Sequence, residues 1–403
     1  MRRLLIFLHG YDPRGGATYY KLYRDQAAKQ AALRGRQISI GTRAAKEPLI
    51  SACEVQDGVG TASTRVEFQH WDDIVRGHWA RGDIAGVWEA FRYGWLYLRT
   101  GHFARILCLQ RNVGLVVLFP FVAVLAPILL LLVVTLALGI IAEGMLGWPW
   151  WLALAVIPPG LYGGLAAVRA LDRRTQCLWL ARALAFYGDE ACGRTPDYNG
   201  RKDELAARLA AHAATGEYDE ILIVGHSIGA ALAVSIVARA AARDPNLTRS
   251  RAKLALLTIG QSLPVLALLP QAGTFRSELL ACSLVDGLEW VDVSAKIDAA
   301  AFFRLDPVRA SGLVRPAGAA IRPRFVAVRF HKLFSRKNFR RMKKTAAIHQ
   351  LYLLATDRPG SYDFFEITAG ALPLSEVFRD AGLHAAASSG HGAGENPASG
   401  AAL

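Results

Sequence analysis

The segment Ile221-Leu222-Ile223-Val224-Gly225-His226-Ser227-Ile228-Gly229-Ala230 decides the fold. Four aliphatic residues closed by glycine read as a buried strand, and the Ala-rich run Ala230 to Ala242 that follows reads as a helix. Between them lies a G-x-S-x-G spacing. The bare pentapeptide is common by chance, so its flanks carry the argument. A serine set between two residues without side-chain bulk permits a strained strand-to-helix turn that lifts its hydroxyl clear of the sheet. The helix that starts there aims backbone amides, and its positive dipole end, at any negative charge developing beside that hydroxyl.

Working outward, the same alternation recurs. Arg3 to Leu8 is a short apolar run closed by His9-Gly10, a strand ending in a turn, and Ala17 to Leu33 follows as a helix stopped by Gly35. Gln37 to Ile40 and Thr64 to Gln69 read as strands, and Trp71-Asp72-Asp73 opens a helix with two possible caps. Beyond the central motif, Lys253 to Ile259, Leu288 to Val293 and Phe325 to Phe330 supply further strands, and Asp203 to His212 a helix. Strands separated by stretches long enough for crossovers imply an α/β fold with a mostly parallel sheet flanked by helices.

One region breaks the pattern. Val113 to Ala142 holds no charged residue, enough for a helix crossing about 30 Å of hydrocarbon. A turn, Glu143 to Gly147, leads to a second apolar run, Trp148 to Val168, interrupted by Pro158-Pro159. A proline kink is tolerated in a bilayer, and Trp148, Trp150 and Trp151 suit an interfacial aromatic belt. The expectation is a transmembrane two-helix hairpin inserted into the α/β domain. Arg99, Arg105 and Arg111 precede it and Arg169, Arg173 and Arg174 follow it, whereas the turn carries only Glu143. By the positive-inside rule both ends then face the cytoplasm. The organisation expected is 1–104 as the first part of the α/β domain, 105–175 as the hairpin, 176–384 as its second part, and 385–403 as a disordered Ala/Gly/Ser tail.

The chain of 403 residues carries a formal charge of +14. Much of the excess lies between Arg322 and Lys344, interleaved with Phe325, Phe330, Phe334 and Phe339. A solvated surface, contact with anionic headgroups, or nucleic acid would each use such a stretch; beside a membrane anchor, lipid is favoured over nucleic acid. Cys53, Cys108, Cys177, Cys192 and Cys282 are scattered without metal or redox spacing, which suggests a reducing compartment. No nucleotide-binding fingerprint or His/Glu metal helix occurs, so neither metal nor cofactor is expected.

With these residues in place the chain resembles the α/β-hydrolase superfamily, and within it the lipase and esterase branch. The resemblance implies Ser227 as nucleophile, within the motif Gly225, His226 and Gly229. It also implies that the turn Leu8-His9-Gly10-Tyr11 supplies a second oxyanion amide, so that Tyr11 and Ile228 form the hole and His9 is structural. The family order is nucleophile, acid, histidine. Asp298, a few residues past the strand Leu288 to Val293, is the favoured acid; Asp306 is the alternative, and Asp286 and Asp292 are weaker. For the base, His349 is favoured over His331, whose neighbours are cationic, and over His384 and His391 near the tail.

The function this implies is a membrane-anchored serine hydrolase that cleaves a carboxylic ester or thioester of lipid-like character, with membrane lipids as partners. Acyl transfer from the same Ser227, or a catalytically silent membrane scaffold on the same fold, are the alternatives. Trp79, Trp88, Phe91, Tyr93, Trp95 and Tyr97 are expected either to line a groove at the membrane interface or to serve as core or membrane-surface packing.

Overall fold

The computed structural model describes residues 1–47, 49–58, 60–79, 82–147, 155, 157–344 and 347–379. Trp148, Trp150, Trp151, His384, His391 and the segment 385–403 lie outside them.

A nine-stranded sheet organises the chain: β1 Arg2–Leu8, β2 Ile38–Ile40, β3 Ala44–Glu47, β4 Ile50–Asp57, β5 Ser63–Gln69, β6 Glu220–His226, β7 Lys253–Ile259, β8 Glu289–Ser294 and β9 Arg324–Ala327. The spatial order is β2-β4-β5-β1-β6-β7-β8-β9, with β3 also on β4. From β5 through β9 the six neighbours run parallel, whereas β4 is antiparallel to β5, β2 and β3. The expected parallel sheet is therefore present, extended by an antiparallel edge.

The period of two along each strand feeds two cores, one on each face. Leu4, Ile6 and Leu8 of β1 and Ile221 and Ile223 of β6 face one side; Leu5, Phe7, Leu222 and Val224 face the other. On the second face lie α1 (Gly16–Arg34), through Tyr23 and Ala27, and the C-terminal residues around Phe364 and Phe365. The first face is covered by α2 (Asp72–Trp79), α3 (Asp83–Arg99), α4 (His102–Leu109), α5 (Arg111–Leu146), α6 (Ile157–Thr175), α7 (Cys177–Ala191), α8 (Pro196–Thr215) and α9 (Gly229–Arg243).

From β1 the chain goes to the far edge at β2 and returns inward through β4 to β5 on one side, then builds β6 to β9 outward on the other, so β1 and β6 form a topological switch point. In open α/β sheets the crevice for a ligand opens there, at the carboxyl ends of the strands.

Among the described residues one helix, α5, is long and apolar enough to cross a membrane. Its 36 residues extend about 54 Å. Val113, Val117, Phe121 and Val124, on one helical stripe, are buried in the domain core. From Leu129 to Met145 the large residues on the outer side stand exposed. Helix α6 returns antiparallel to α5, because the space for a Cβ on Gly160 lies 2.4 Å from Thr135 Oγ1 and that on Gly164 lies 2.8 Å from Ile128 Cα. Only glycine permits so close an approach, the small-xxx-small packing of membrane helices.

Four sequence expectations shift. The turn expected at Glu143 to Gly147 begins later, because α5 continues through Leu146 and stops at Gly147 in the left-handed conformation. Pro158 and Pro159 stand in the first turn of α6, where a missing amide costs no helical bond, so in the described residues they start a helix rather than kink one. The strand expected over Phe325 to Phe330 ends at Ala327, and Phe330–Leu333 is a helical turn. The boundary expected between 104 and 105 falls inside α4.

Candidate active site

The strand β6 ends in His226, and α9 starts at Gly229, leaving Ser227 and Ile228 to turn the chain. Ser227 sits at φ +58°, the left-handed region disfavoured for a residue with a Cβ. The turn is held from both sides: the Ser227 amide donates to the Ile259 carbonyl (3.0 Å), and the Ser227 carbonyl accepts from the Ala230 amide (3.0 Å). Both flanking glycines are required sterically. A Cβ on Gly225 would stand 2.6 Å from Ala230 Cα, and one on Gly229 would stand 2.3 Å from the Leu8 carbonyl oxygen. The strain is thus stored where packing over-determines it.

The β1 turn lies directly against this elbow, since a Cβ on Gly10 would meet Ser227 Cβ at 3.2 Å. His9 is fully buried, its ring between Tyr19 (4.9 Å, 11°) and Trp71 (5.5 Å, 20°). Burial lowers its pKa, and the neutral ring donates from Nδ1 to the Gly10 carbonyl (2.7 Å). That carbonyl and the Tyr11 N–H belong to one rigid peptide plane, so His9 sets the direction of the Tyr11 amide. The Tyr11 carbonyl is held by Trp179 Nε1 (2.9 Å). His9 is thus enclosed by rings and bonded within its own turn.

Asp298 lies four residues beyond β8, and His349 stands in a 3-10 segment, Ala347–Leu353. The two meet: His349 Nδ1 is 2.8 Å from Asp298 Oδ2. Asp298 is further held by the Tyr352 hydroxyl, donating to Oδ2 (3.0 Å), and by the Ala300 amide, donating to Oδ1 (3.1 Å). Burial pushes the Asp298 carboxyl up, but the His349 charge and these donors outweigh it and leave it below the ordinary value. Burial pulls His349 down, and Asp298 more than reverses this, so the imidazole is more basic than usual.

The other acids are occupied elsewhere. Asp306 caps the turn Pro307–Ala310 and forms a two-pronged pair with Arg315 (2.7 and 2.9 Å). Asp292 is buried inside β8, pushed up to about 7 by desolvation, and accepts from Thr258 Oγ1 (2.7 Å). Asp286 is exposed in the turn before β8, at the opposite end of the sheet. His331 is exposed and lies against Phe339.

Two contributors, Tyr352 and Gly260, escaped the sequence reading, and the motif residue His226 takes a part that the motif alone did not indicate. Tyr352 receives the Ala295 amide (3.0 Å) while donating to Asp298. Gly260, at φ +58°, leaves room for the imidazole: a Cβ there would stand 3.1 Å from His349 Cε1. His226, held neutral by burial at a pKa of about 3, donates from Nε2 to the His349 carbonyl (3.0 Å), fastening the base's segment to the nucleophile strand. An Asp-then-Tyr signal of this kind has no fixed spacing, so only the folded chain reveals it.

Ser227 and His349 line one cavity of about 730 Å³, with no hydrogen bond between Ser227 Oγ and the imidazole among the described residues. Tyr11, Ile228, Trp79 and the α5 residues Val113, Val116 and Val117 complete the wall near them. Gln110, at the root of α5, grips the backbone of Phe303 at both its N–H (2.9 Å) and its carbonyl (2.7 Å), tying the apolar helix to the loop that carries Asp298. Of the aromatic residues weighed at the interface, Tyr93 and Tyr97 are core, Trp79 lines the cavity, and Trp88, Phe91 and Trp95 are exposed. In the basic stretch Phe330 and Phe334 are buried and Phe339 packs on the core, so these rings offer no stacking platform, while Arg336, Lys337 and Arg340 face solvent. All five cysteines are free. Among the described residues no group of three or more His, Cys, Asp or Glu side chains converges to hold a metal ion.

No protein-family model, curated protein or solved structure matches the chain.

Proposed function

We propose that the chain is a membrane-anchored serine hydrolase of α/β-hydrolase type, acting on a carboxylic ester or thioester of lipid-like character. The observation that carries this reading is the strained Ser227 elbow at the β1/β6 switch point, sharing a cavity with a buried His349–Asp298 pair. In the reaction His349 Nε2 takes the proton from Ser227 Oγ as the oxygen attacks the acyl carbonyl. The oxyanion that forms accepts from the Ile228 and Tyr11 amides, the first at the positive end of α9. Collapse breaks the bond to the leaving alcohol or thiol, which receives the proton from His349, and leaves an acyl-Ser227 ester. A water, deprotonated by His349, then releases the carboxylate and restores the serine.

Catalytic hydrogen bonds of such sites often form or tighten only around substrate, so the lack of a Ser227–His349 bond does not count against this role. The apolar wall from α5 and the long apolar helix itself favour an acyl lipid over a soluble ester. With α5 and α6 as a transmembrane hairpin and arginines at both of its domain-side ends, the α/β domain faces the cytoplasm.

The test is labelling of detergent-solubilised protein by a fluorophosphonate, together with turnover of esters of graded chain length. Labelling at Ser227 and its loss in Ser227→Ala are expected. An unlabelled wild-type protein with intact fold would favour a silent scaffold instead.

A further inference from the structure

Helix α3 has two faces. One is core: Ala90, Tyr93, Leu96 and Tyr97 are buried. The other carries Ile84, Trp88, Phe91, Trp95 and Leu98, spaced four and three residues apart, hence on one stripe. Each is more than half exposed, and Trp88 and Phe91 stack on each other at 5.7 Å. A stripe of five large apolar side chains, two of them tryptophan, is more than scattered surface hydrophobicity.

The direction of α3 relative to the hairpin follows from two contacts. Gly94 packs on Phe121, with room for a Cβ only 3.0 Å from the ring. At the start of α3, Asp83 pairs with Arg169 of α6 (2.7 Å). Since Gly164 abuts Ile128, Arg169, five residues closer to the domain, stands level with position 123 of α5. Two points about 16 Å apart along α3 thus meet the hairpin at levels only about 3 Å apart. The helix therefore runs across the hairpin, in the plane that a bilayer surface would occupy. Near that level α5 exposes Phe119 and Val122, and Leu115 about 9–12 Å further toward the domain, so apolar side chains of both helices stand exposed over the same range of heights.

We infer that α3 is an in-plane interfacial helix whose Ile84-to-Leu98 stripe is immersed at the headgroup and acyl-chain boundary of the bilayer that α5 crosses. This rests on the hairpin spanning that bilayer, and not on the chemistry of Ser227. Lipid is the occupant because the stripe shares its height with exposed apolar side chains of α5, the helix that crosses the bilayer, because tryptophan favours the interface, and because in-plane amphipathic helices bind through such an apolar face. The immersion fixes the depth of the cavity. Val117 and Val116 stand four and five residues before Phe121, about 6–8 Å toward the domain, comparable with the headgroup layer of roughly 5–8 Å per leaflet. A lipid then reaches Ser227 from the bilayer without crossing bulk water.

The experiment places nitroxide labels on the full chain in phosphatidylcholine/phosphatidylglycerol vesicles, in a Cys108→Ser/Cys192→Ser background. Labelled Trp88→Cys and Trp95→Cys are compared with Val133→Cys on α5 and with Arg251→Cys, exposed just before β7 at the amino ends of the strands, opposite the Ser227 end. The expected ratio of oxygen to nickel-chelate accessibility at Trp88→Cys and Trp95→Cys is several-fold above that at Arg251→Cys. A ratio equal to that at Arg251→Cys, with Val133→Cys in lipid, overturns the inference alone. Labels shielded from both reagents and spin-coupled between chains would put a second copy on the stripe and overturn it too. If Val133→Cys also reads as water, the membrane span itself fails.

Discussion

Tyr352→Phe isolates what the buried acid requires. The ring is fully buried and its hydroxyl serves two partners, donating to Asp298 Oδ2 and accepting from the Ala295 amide, each at 3.0 Å. Deleting the oxygen leaves the ring packing intact but removes a hydrogen bond to a charged group, about 1.5–3 kcal/mol, and orphans a buried amide, about 1–3 kcal/mol. Because relaxation recovers part of this, the expected loss of stability is about 2–4 kcal/mol. The rate should suffer less, since Asp298 keeps the His349 and Ala300 contacts. An orientational penalty near 1.4 kcal/mol would lower kcat/KM about tenfold. The sign of the pH effect is diagnostic. The hydroxyl helps hold the Asp298 carboxyl low; without it the carboxylate concentrates more charge on His349 and raises the imidazole further, so the acid limb of kcat/KM moves to higher pH. Ester hydrolysis from pH 5 to 9 in detergent, with thermal unfolding followed by fluorescence, measures both. A destabilised Tyr352→Phe protein whose acid limb stays in place, or moves down, would refute the role given to this hydroxyl.

Asp298→Asn should reduce turnover by about 10⁴-fold, whereas Asp306→Asn, which perturbs a cap and the Arg315 pair, should cost stability of about 1 kcal/mol and leave the rate within a few-fold; equal losses of activity would reopen the choice of acid. The wild-type acid limb should lie above 6.5, because Asp298 makes the neutral, proton-accepting imidazole harder to form. The same pair should add stability, relative to Asp298→Asn, most strongly between about pH 4 and 6.5: the raised His349 contributes fully below its unfolded value and loses this as pH rises through its folded one, and the lowered Asp298 contributes above its unfolded value and loses this as pH falls through its folded one. A melting-temperature difference between the two proteins that grew steadily toward pH 9 would contradict this. In the hairpin, Gly164→Leu should lower the melting midpoint in detergent, since its Cβ meets Ile128 Cα at 2.8 Å, whereas Gly163→Ala, with its nearest atom at 3.6 Å, should not; indistinguishable melts would mean that α5 and α6 do not pack this way.

How much of this was legible in the sequence depends on range. The elbow was readable because its demands are local: a buried strand, two glycines and an Ala-rich helix lie within some twenty residues. The antiparallel strands β3 and β4 were not read, although Ile50 to Asp57 and Ser63 to Gln69 frame a Gly-containing turn, the usual sign of a hairpin. Mixed polarity hid β4, whose Ser51 and Cys53 are buried by packing rather than by apolar character. Asp298 and His349 were placed by chain order, and geometry brings them together across 51 residues. Tyr352, Gly260 and the anchoring bond from His226 depend on three-dimensional neighbours, which no spacing encodes.

The position of the insertion links the two halves of the proposal. The segments α2 to α8 join β5 to β6, the strands on either side of β1. Both are parallel to β1, so a chain leaving the carboxyl end of β5 departs from the edge where Ser227 rests. Anything placed there becomes the roof of the switch-point crevice. A soluble enzyme of this architecture would need that roof polar outside and apolar inside, but here both sides of α5 are apolar: Val113 and Val117 face the core and cavity, and Leu115, Phe119 and Val122 face outward. A helix hydrophobic all round is stable only where something other than water covers its outer side. The root of that helix is bonded through Gln110 to the loop of Asp298, so the geometry of the acid is registered against the element that a membrane would hold.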